Sequence, residues 1–138
     1  MVQSSSPLLE IRVACDEPLT VRGQETTVVM IPFTGVSDGP YFFGKTIGTG
    51  VDTQKIETDG SFLLSARYML EGKDCSGSAC RIFIENQGNE QEGFIPRIVT
   101  DSPVLKAWES MELYSSLEGI PGGVMVRIFR KTGTGAGR

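Results

Sequence analysis

The stretch Asp59-Gly60-Ser61-Phe62-Leu63-Leu64-Ser65-Ala66-Arg67-Tyr68-Met69-Leu70-Glu71 decides how this chain is read. A strand turns successive side chains to opposite faces. Phe62, Leu64, Ala66, Tyr68 and Leu70 therefore share one side. Leu63, Ser65, Arg67, Met69 and Glu71 share the other. Both sides carry apolar residues, so both are expected to be covered. Asp59-Gly60 is a strong two-residue hairpin signal, and it joins this strand to Val51–Glu57 just upstream.

Working outward, similar runs recur every ten to fifteen residues, separated by Gly, Asp, Asn and Pro clusters. That spacing is the signature of an all-β sandwich or barrel. Leu8–Ala14, Thr26–Phe33 and Tyr41–Ile47 read as strands, the last following the turn Asp38-Gly39-Pro40. A second hairpin crosses Cys75–Ala79 into Arg81–Asn86, and Gln87–Gly93 reads as a flexible loop. Ser102–Trp108 is the best helix candidate: Ser102 suits the N-cap, Pro103 the first helical position, and Leu105 and Trp108 one buried face. Leu113–Leu117 and Val124–Arg130 complete the set, with a turn at Pro121-Gly122-Gly123. The expected fold is all-β: a closed antiparallel β-barrel with one short helix. The expected layout is a flexible N-terminus over 1–7, one soluble barrel domain over 8–131 and a disordered tail over 132–138.

Composition limits the chemistry. The chain has 138 residues, no histidine and a formal charge of −4. No Lys/Arg cluster marks a nucleic-acid face, and no apolar run approaches the length of a membrane span. The N-terminus lacks the basic flank and apolar stretch of a secretory signal, so a cytoplasmic protein is expected. Without histidine, Ser-His-Asp and Cys-His catalysis are excluded, and acid–base work falls to Asp, Glu, Tyr, Lys or Cys. The odd count of cysteines argues against a disulfide framework. Cys75 and Cys80 flank a hairpin and could pair across it, but reduced thiols suit a cytosolic chain better. With no second cysteine pair a zinc site is not expected, and Cys15, at a strand, and the hairpin cysteines need not meet a pocket.

Asp52, Gln54 and Ile56 share one strand face, and Asn86 ends a row begun by Ile82 and Ile84. Polar residues in phase with apolar ones either close a barrel mouth by bonding to loop backbone or line a pocket. In the second case Asp52 is the candidate acid or base, because a carboxyl withdrawn from water has a raised pKa. Its alternative is a cap on the Gly48–Gly50 turn. Tyr68 is either a core tyrosine or a donor to a ligand oxygen. Gln54, Asn86, Glu85, Tyr41 and Trp108 are the candidate ligand-binding residues, with Trp108 also a candidate plug for the barrel end. Arg67 reads as an exterior ion-pair residue.

These residues carry a resemblance. The run Gly35…Gly39-Pro40…Gly44-Lys45…Gly48…Gly50-Val51-Asp52-Thr53-Gln54, then Asp59-Gly60, Ala66-Arg67-Tyr68, Gly77 and Asn86-Gln87-Gly88, resembles the DUF3237 family, also called UPF0311. The likeness spans roughly residues 8 to 130. The chain departs from the pattern at Val51, where a second glycine is usual, at Thr53, where an aromatic is common, and in a short loop after Gly88. The resemblance implies a calycin-like or allene-oxide-cyclase-like antiparallel barrel.

The functional expectation is a cofactor-independent, metal-free enzyme of cyclase, isomerase or dehydratase (lyase) type. It would act on a small, mostly apolar metabolite in the barrel pocket, with secondary metabolism as one setting. The alternatives are a non-catalytic small-molecule-binding barrel and a structural subunit with a filled interior. The apolar outer face of Ser61–Glu71 and Arg81–Asn86 adds the expectation of a homodimer, and neither a nucleic acid nor a membrane is an expected partner.

Overall fold

A computed structural model describes residues 6–131, so the expectations for most of the N-terminus and for the 132–138 tail lie outside the described residues. The strands are β1 (Leu9–Cys15), β2 (Leu19–Arg22), β3 (Thr26–Asp38), β4 (Phe42–Thr46), β5 (Gly50–Glu57), β6 (Phe62–Asp74), β7 (Ala79–Asn89), β8 (Gly93–Thr100), β9 (Leu113–Ile120) and β10 (Gly123–Arg130). All their pairings are antiparallel: β3 pairs β1, β1 pairs β10, and the ring continues through β9, β8, β7 and β6. β4 and β5 together fill one place between β3 and β6, β4 against the far half of β3 and β5 against the near half. The result is a closed eight-stranded barrel, with β2 as a flap on β3.

Alternation fixes what fills it. Leu64, Ala66, Tyr68 and Leu70 on β6 point inward with Ile82 and Ile84 on β7, Ile11 and Val13 on β1, and Val126 and Ile128 on β10. Leu63 and Met69 stay exposed on the outer wall among ion pairs such as Arg67–Glu85 at 2.9 Å and Arg81–Glu71 at 3.0 Å. Arg67 is thus the exterior ion-pair residue its phase implied.

Three local expectations are corrected. Asp59-Gly60 belongs to a three-residue loop, not a two-residue one. Glu57 N–H donates to the Ser61 carbonyl, and Gly60 at φ 91° occupies the left-handed position such a loop requires. Gln87–Gly93 is mostly strand: β7 runs to Asn89, β8 starts at Gly93, and Asn89 Oδ1 accepts the Glu92 N–H at 2.8 Å to close the turn between them. The helix is a five-residue 3-10 turn over Lys106–Ser110, and Leu105, not Ser102, precedes it. Ser102 Oγ still accepts from the Val104 and Leu105 N–H groups, and Leu105 and Trp108 are both buried.

The end of the barrel at the β6–β7 hairpin is sealed by a polar knot around Asp74. Its carboxylate accepts from Ser102 Oγ at 2.7 Å, from the Ser76 N–H at 2.9 Å and from Ser76 Oγ. These donors, Ser76 and then Ser102, hold the Asp74 carboxyl down to about 2. Cys75 sits in the hairpin loop while Cys80 is buried on β7 opposite Gly72, and all three cysteines are free. No helix among the described residues is long and apolar enough to cross a membrane.

Candidate functional site

At the end of the barrel away from Asp74, strand register places three polar residues round one small one. Asp52 on β5 pairs with Ala66 on β6, and Ala66 pairs with Asn86 on β7. Directly opposite residues in an antiparallel pair face the same way, so the three form a row across the inner wall. Tyr68 follows Ala66 by two residues on the same face. Among larger neighbours, the single methyl of Ala66 leaves a cavity of about 50 Å³, lined by Asp52, Tyr68, Asn86 and the apolar side chains of Val13, Phe33, Leu64 and Val126. Cys15, Leu117 and Val124 line it at the rim, where Cys15 and Leu117 are exposed.

Gly50 makes the packing beneath the cavity fit. A Cβ there would lie 2.6 Å from both Phe33 Cζ and Tyr68 Cβ. Its absence lets the two rings meet edge to face with centroids 5.2 Å apart. The glycine spacing before Asp52 therefore has a packing reason, and Gly48, at φ 63°, has a conformational one.

The polar groups are not fully paired. Gln54 Nε2 donates to Asp52 Oδ2 at 3.0 Å, but buried Asp52 Oδ1 has no partner, and neither has the buried Tyr68 hydroxyl. Asp52 thus does not spend its oxygens capping the Gly48–Gly50 turn. Burial pushes the Asp52 carboxyl above its ordinary range, against the opposing donation from Gln54. Burial likewise raises the Tyr68 phenol, so it stays protonated and able to donate. Asn86 is 4% exposed, with its Oδ1 accepting from Ser115 Oγ at 3.1 Å. The Cys15 thiol is pushed up by burial first, then by the nearby Asp52 and Asp16 carboxylates.

The structure therefore gathers Asp52, Tyr68 and Asn86, with Gln54 beside Asp52. It does not gather the remaining candidates. Glu85 points outward to Arg67 because it is out of phase with Asn86. Tyr41 and Trp108 pack edge to face at 6.0 Å at the Asp74 end. Asp74 lies eight residues along β6 from Ala66, about 26 Å at the rise of a strand. Three participants escaped the sequence reading. Ala66 had a visible signal, a lone small residue in phase with Leu64 and Tyr68. Ser115 is in phase with Leu113, but nothing local ties it to Asn86. Cys15 ends β1 at the cavity rim, a place that only barrel closure defines. Among the described residues no three His, Cys, Asp or Glu side chains converge to hold a metal ion. A larger, more open depression of about 750 Å³ lies along the seam between β8 and β9; Ser115, which donates to Asn86, is among its lining residues, whereas Asp52 and Tyr68 are not.

Residues 3–93 match a family described as a protein of unknown function, DUF3237. The chain belongs to the DUF3237 family. Over 85 residues it is 36% identical to a UPF0311 protein of Clostridium acetobutylicum, a match covering 59% of this chain and 51% of that relative. The match thus spans about half the length of that curated relative. Among solved structures, a protein of unknown function from Clostridium acetobutylicum aligns with a TM-score of 0.75 at 23% identity, covering 92% of this chain and 97% of its own. An enzyme from Penicillium herquei aligns with a TM-score of 0.68 at 13% identity, covering 93% and 99%. At these identities the two structures speak for the fold of this DUF3237 chain alone.

Proposed function

We propose that this DUF3237 chain is a cofactor-independent enzyme of cyclase, isomerase or dehydratase type acting on a small, mostly apolar molecule. Asp52 is its acid or base, and Tyr68 or Asn86 holds a ligand oxygen. The observation that carries this reading is the pair of unpartnered groups, Asp52 Oδ1 and the Tyr68 hydroxyl, facing one cavity. Buried polar groups are otherwise paired almost without exception, and each exception asks for an explanation. A carboxyl raised above the ordinary carboxylate range moves a proton more readily at physiological pH than an ordinary one. That an enzyme from Penicillium herquei has this fold is compatible with the reading.

We also propose a homodimer formed through the outer wall, where Leu19, Val21, Met30 and Leu63 are exposed. The cytoplasm is the proposed compartment, since three unpaired thiols suit reducing conditions.

The test is to recover the ligand by native mass spectrometry of protein exposed to cell extract, then to follow its conversion. Asp52→Asn keeps the shape and an acceptor oxygen but removes proton transfer, so turnover should fall by about 10²- to 10⁴-fold while the ligand still binds. Retained turnover would remove Asp52 from the chemistry. A ligand that binds and is never converted would make the barrel a binding protein.

A further inference from the structure

The cavity over Ala66 is too small for a metabolite. Ligand pockets for drug-sized molecules run from about 300 to 1,000 Å³, against about 50 Å³ here. A water needs only about 10–15 Å³ on the same kind of measure, together with polar partners. The cavity therefore has room for one protruding group, and its walls specify which. As a carboxylate, Asp52 can only accept at its unpartnered Oδ1, whereas the Tyr68 phenol, 6% exposed, has a proton to give. A carbonyl oxygen would satisfy Tyr68 but face the carboxylate with a like partial charge. An ammonium would satisfy Asp52 and leave the Tyr68 proton without an acceptor. An oxygen that both donates and accepts satisfies both.

Outside the mouth the inner wall changes character. Ile31 pairs with Asp52, Val29 with Gln54 and Ile56 with Phe62, so one strip of β3, β5 and β6 turns these apolar side chains inward beyond the cavity. All four are incompletely buried, and Ile56 is 36% exposed. An apolar shelf thus leads up to a polar cavity one group deep.

We propose that Asp52 and Tyr68, spaced by Ala66, form a recognition site for a single hydroxyl-sized oxygen. Water fills it in the free protein. The ligand's own hydroxyl fills it in the complex, with the apolar body on the shelf of Val29, Ile31, Ile56 and Phe62. The ligand half of this proposal rests on the functional reading above; the water half does not.

The water half is tested on the free protein by water–protein NOE measurements at the Ala66 methyl and the Tyr68 ring. A long-lived water should give cross-peaks at both, and Tyr68→Phe, which removes only the hydroxyl, should weaken them several-fold. Ala66→Val, which fills the space, should abolish those at the Tyr68 ring. A dry cavity in the wild-type protein overturns the site. So do cross-peaks that survive Tyr68→Phe unchanged, a result that stands even if Ala66→Val does not fold. For the ligand half, hexanol and hexanal are titrated at equal millimolar concentrations. Displacement of the water signal by hexanol and not by hexanal supports the hydroxyl preference. Equal displacement, or none by either, overturns it. Both measurements are made without turnover, so their failure is distinct from failure of the enzyme reading, which the Asp52→Asn turnover test decides.

Discussion

Asp52 holds one carboxylate oxygen against Gln54 and leaves the other buried without a partner, and both its interest and its cost follow from that. Because burial raises its pKa in the folded state, the folded protein holds this proton more tightly than the unfolded chain does. Stability from this group is then greatest at low pH and falls as pH rises from 3.8 through the raised folded value. Asp52→Asn removes the ionisation, so its melting temperature should exceed the wild type's at pH 7. The difference should shrink toward zero as the pH is lowered to 3.8; a variant less stable than wild type at neutral pH would contradict the burial argument. At this scale much was legible. The phase of Asp52 with Ile56, and of Tyr68 with Leu64, is a property of the strand period and can be read without coordinates. That Ala66 stands between Asp52 and Asn86 is not local: it depends on the registers of β5 on β6 and of β6 on β7. Glu85 was misplaced because one residue of phase separates the cavity from the outer wall.

At the scale of elements, the hairpins set the barrel ends. The β6–β7 loop is closed by the Gly77 N–H donating to the Asp74 carbonyl, with Gly77 at φ 86°, and Asp74's side chain ties that loop to Ser102 ahead of the 3-10 turn. With its pKa depressed to about 2, Asp74 contributes stability that is present above 3.8 and lost as pH falls from there through about 2. Acid unfolding followed by circular dichroism should show this loss in the wild type and a flatter profile between those values in Asp74→Asn; superimposable profiles would mean the knot is not stabilising. The strand run was legible because its turns carry Gly, Asp and Asn. β8 was not, because Pro96 interrupts its pattern and proline argues against a strand with partners on both sides. It is tolerated here because the pairing of β8 to β9 is limited to Phe94 and Ser115, leaving an edge. The segment around Trp108 forms a five-residue 3-10 turn between β8 and β9 with Leu105 and Trp108 buried, a short piece of the kind that serves as a connector.

At the scale of the molecule, closure of the ring by β1 on β3 produces an inside and an outside of opposite needs. The inside is packed with apolar side chains, with a small cavity over Ala66. The outside leaves large apolar side chains in water: Leu19 and Val21 are each 63% exposed, and Leu19 pairs with Met30 on the same outer face. Large exposed apolar patches on a small protein mark interaction surfaces, and a second copy is the proposed cover. Analytical ultracentrifugation should give a dimer at micromolar concentration and a monomer for the Leu63→Glu, Met30→Glu double variant. A wild-type monomer at high micromolar concentration would refute the dimer. The central claim, however, is that barrel closure withdraws the Asp52 carboxyl from water and readies it for proton transfer. The direct measurement is a carbon-detected NMR titration of the Asp52 carboxyl in the free protein, assigned by its loss in Asp52→Asn. A midpoint clearly above 3.8 is predicted, and a midpoint at or below that value would show an ordinary carboxylate and contradict the account.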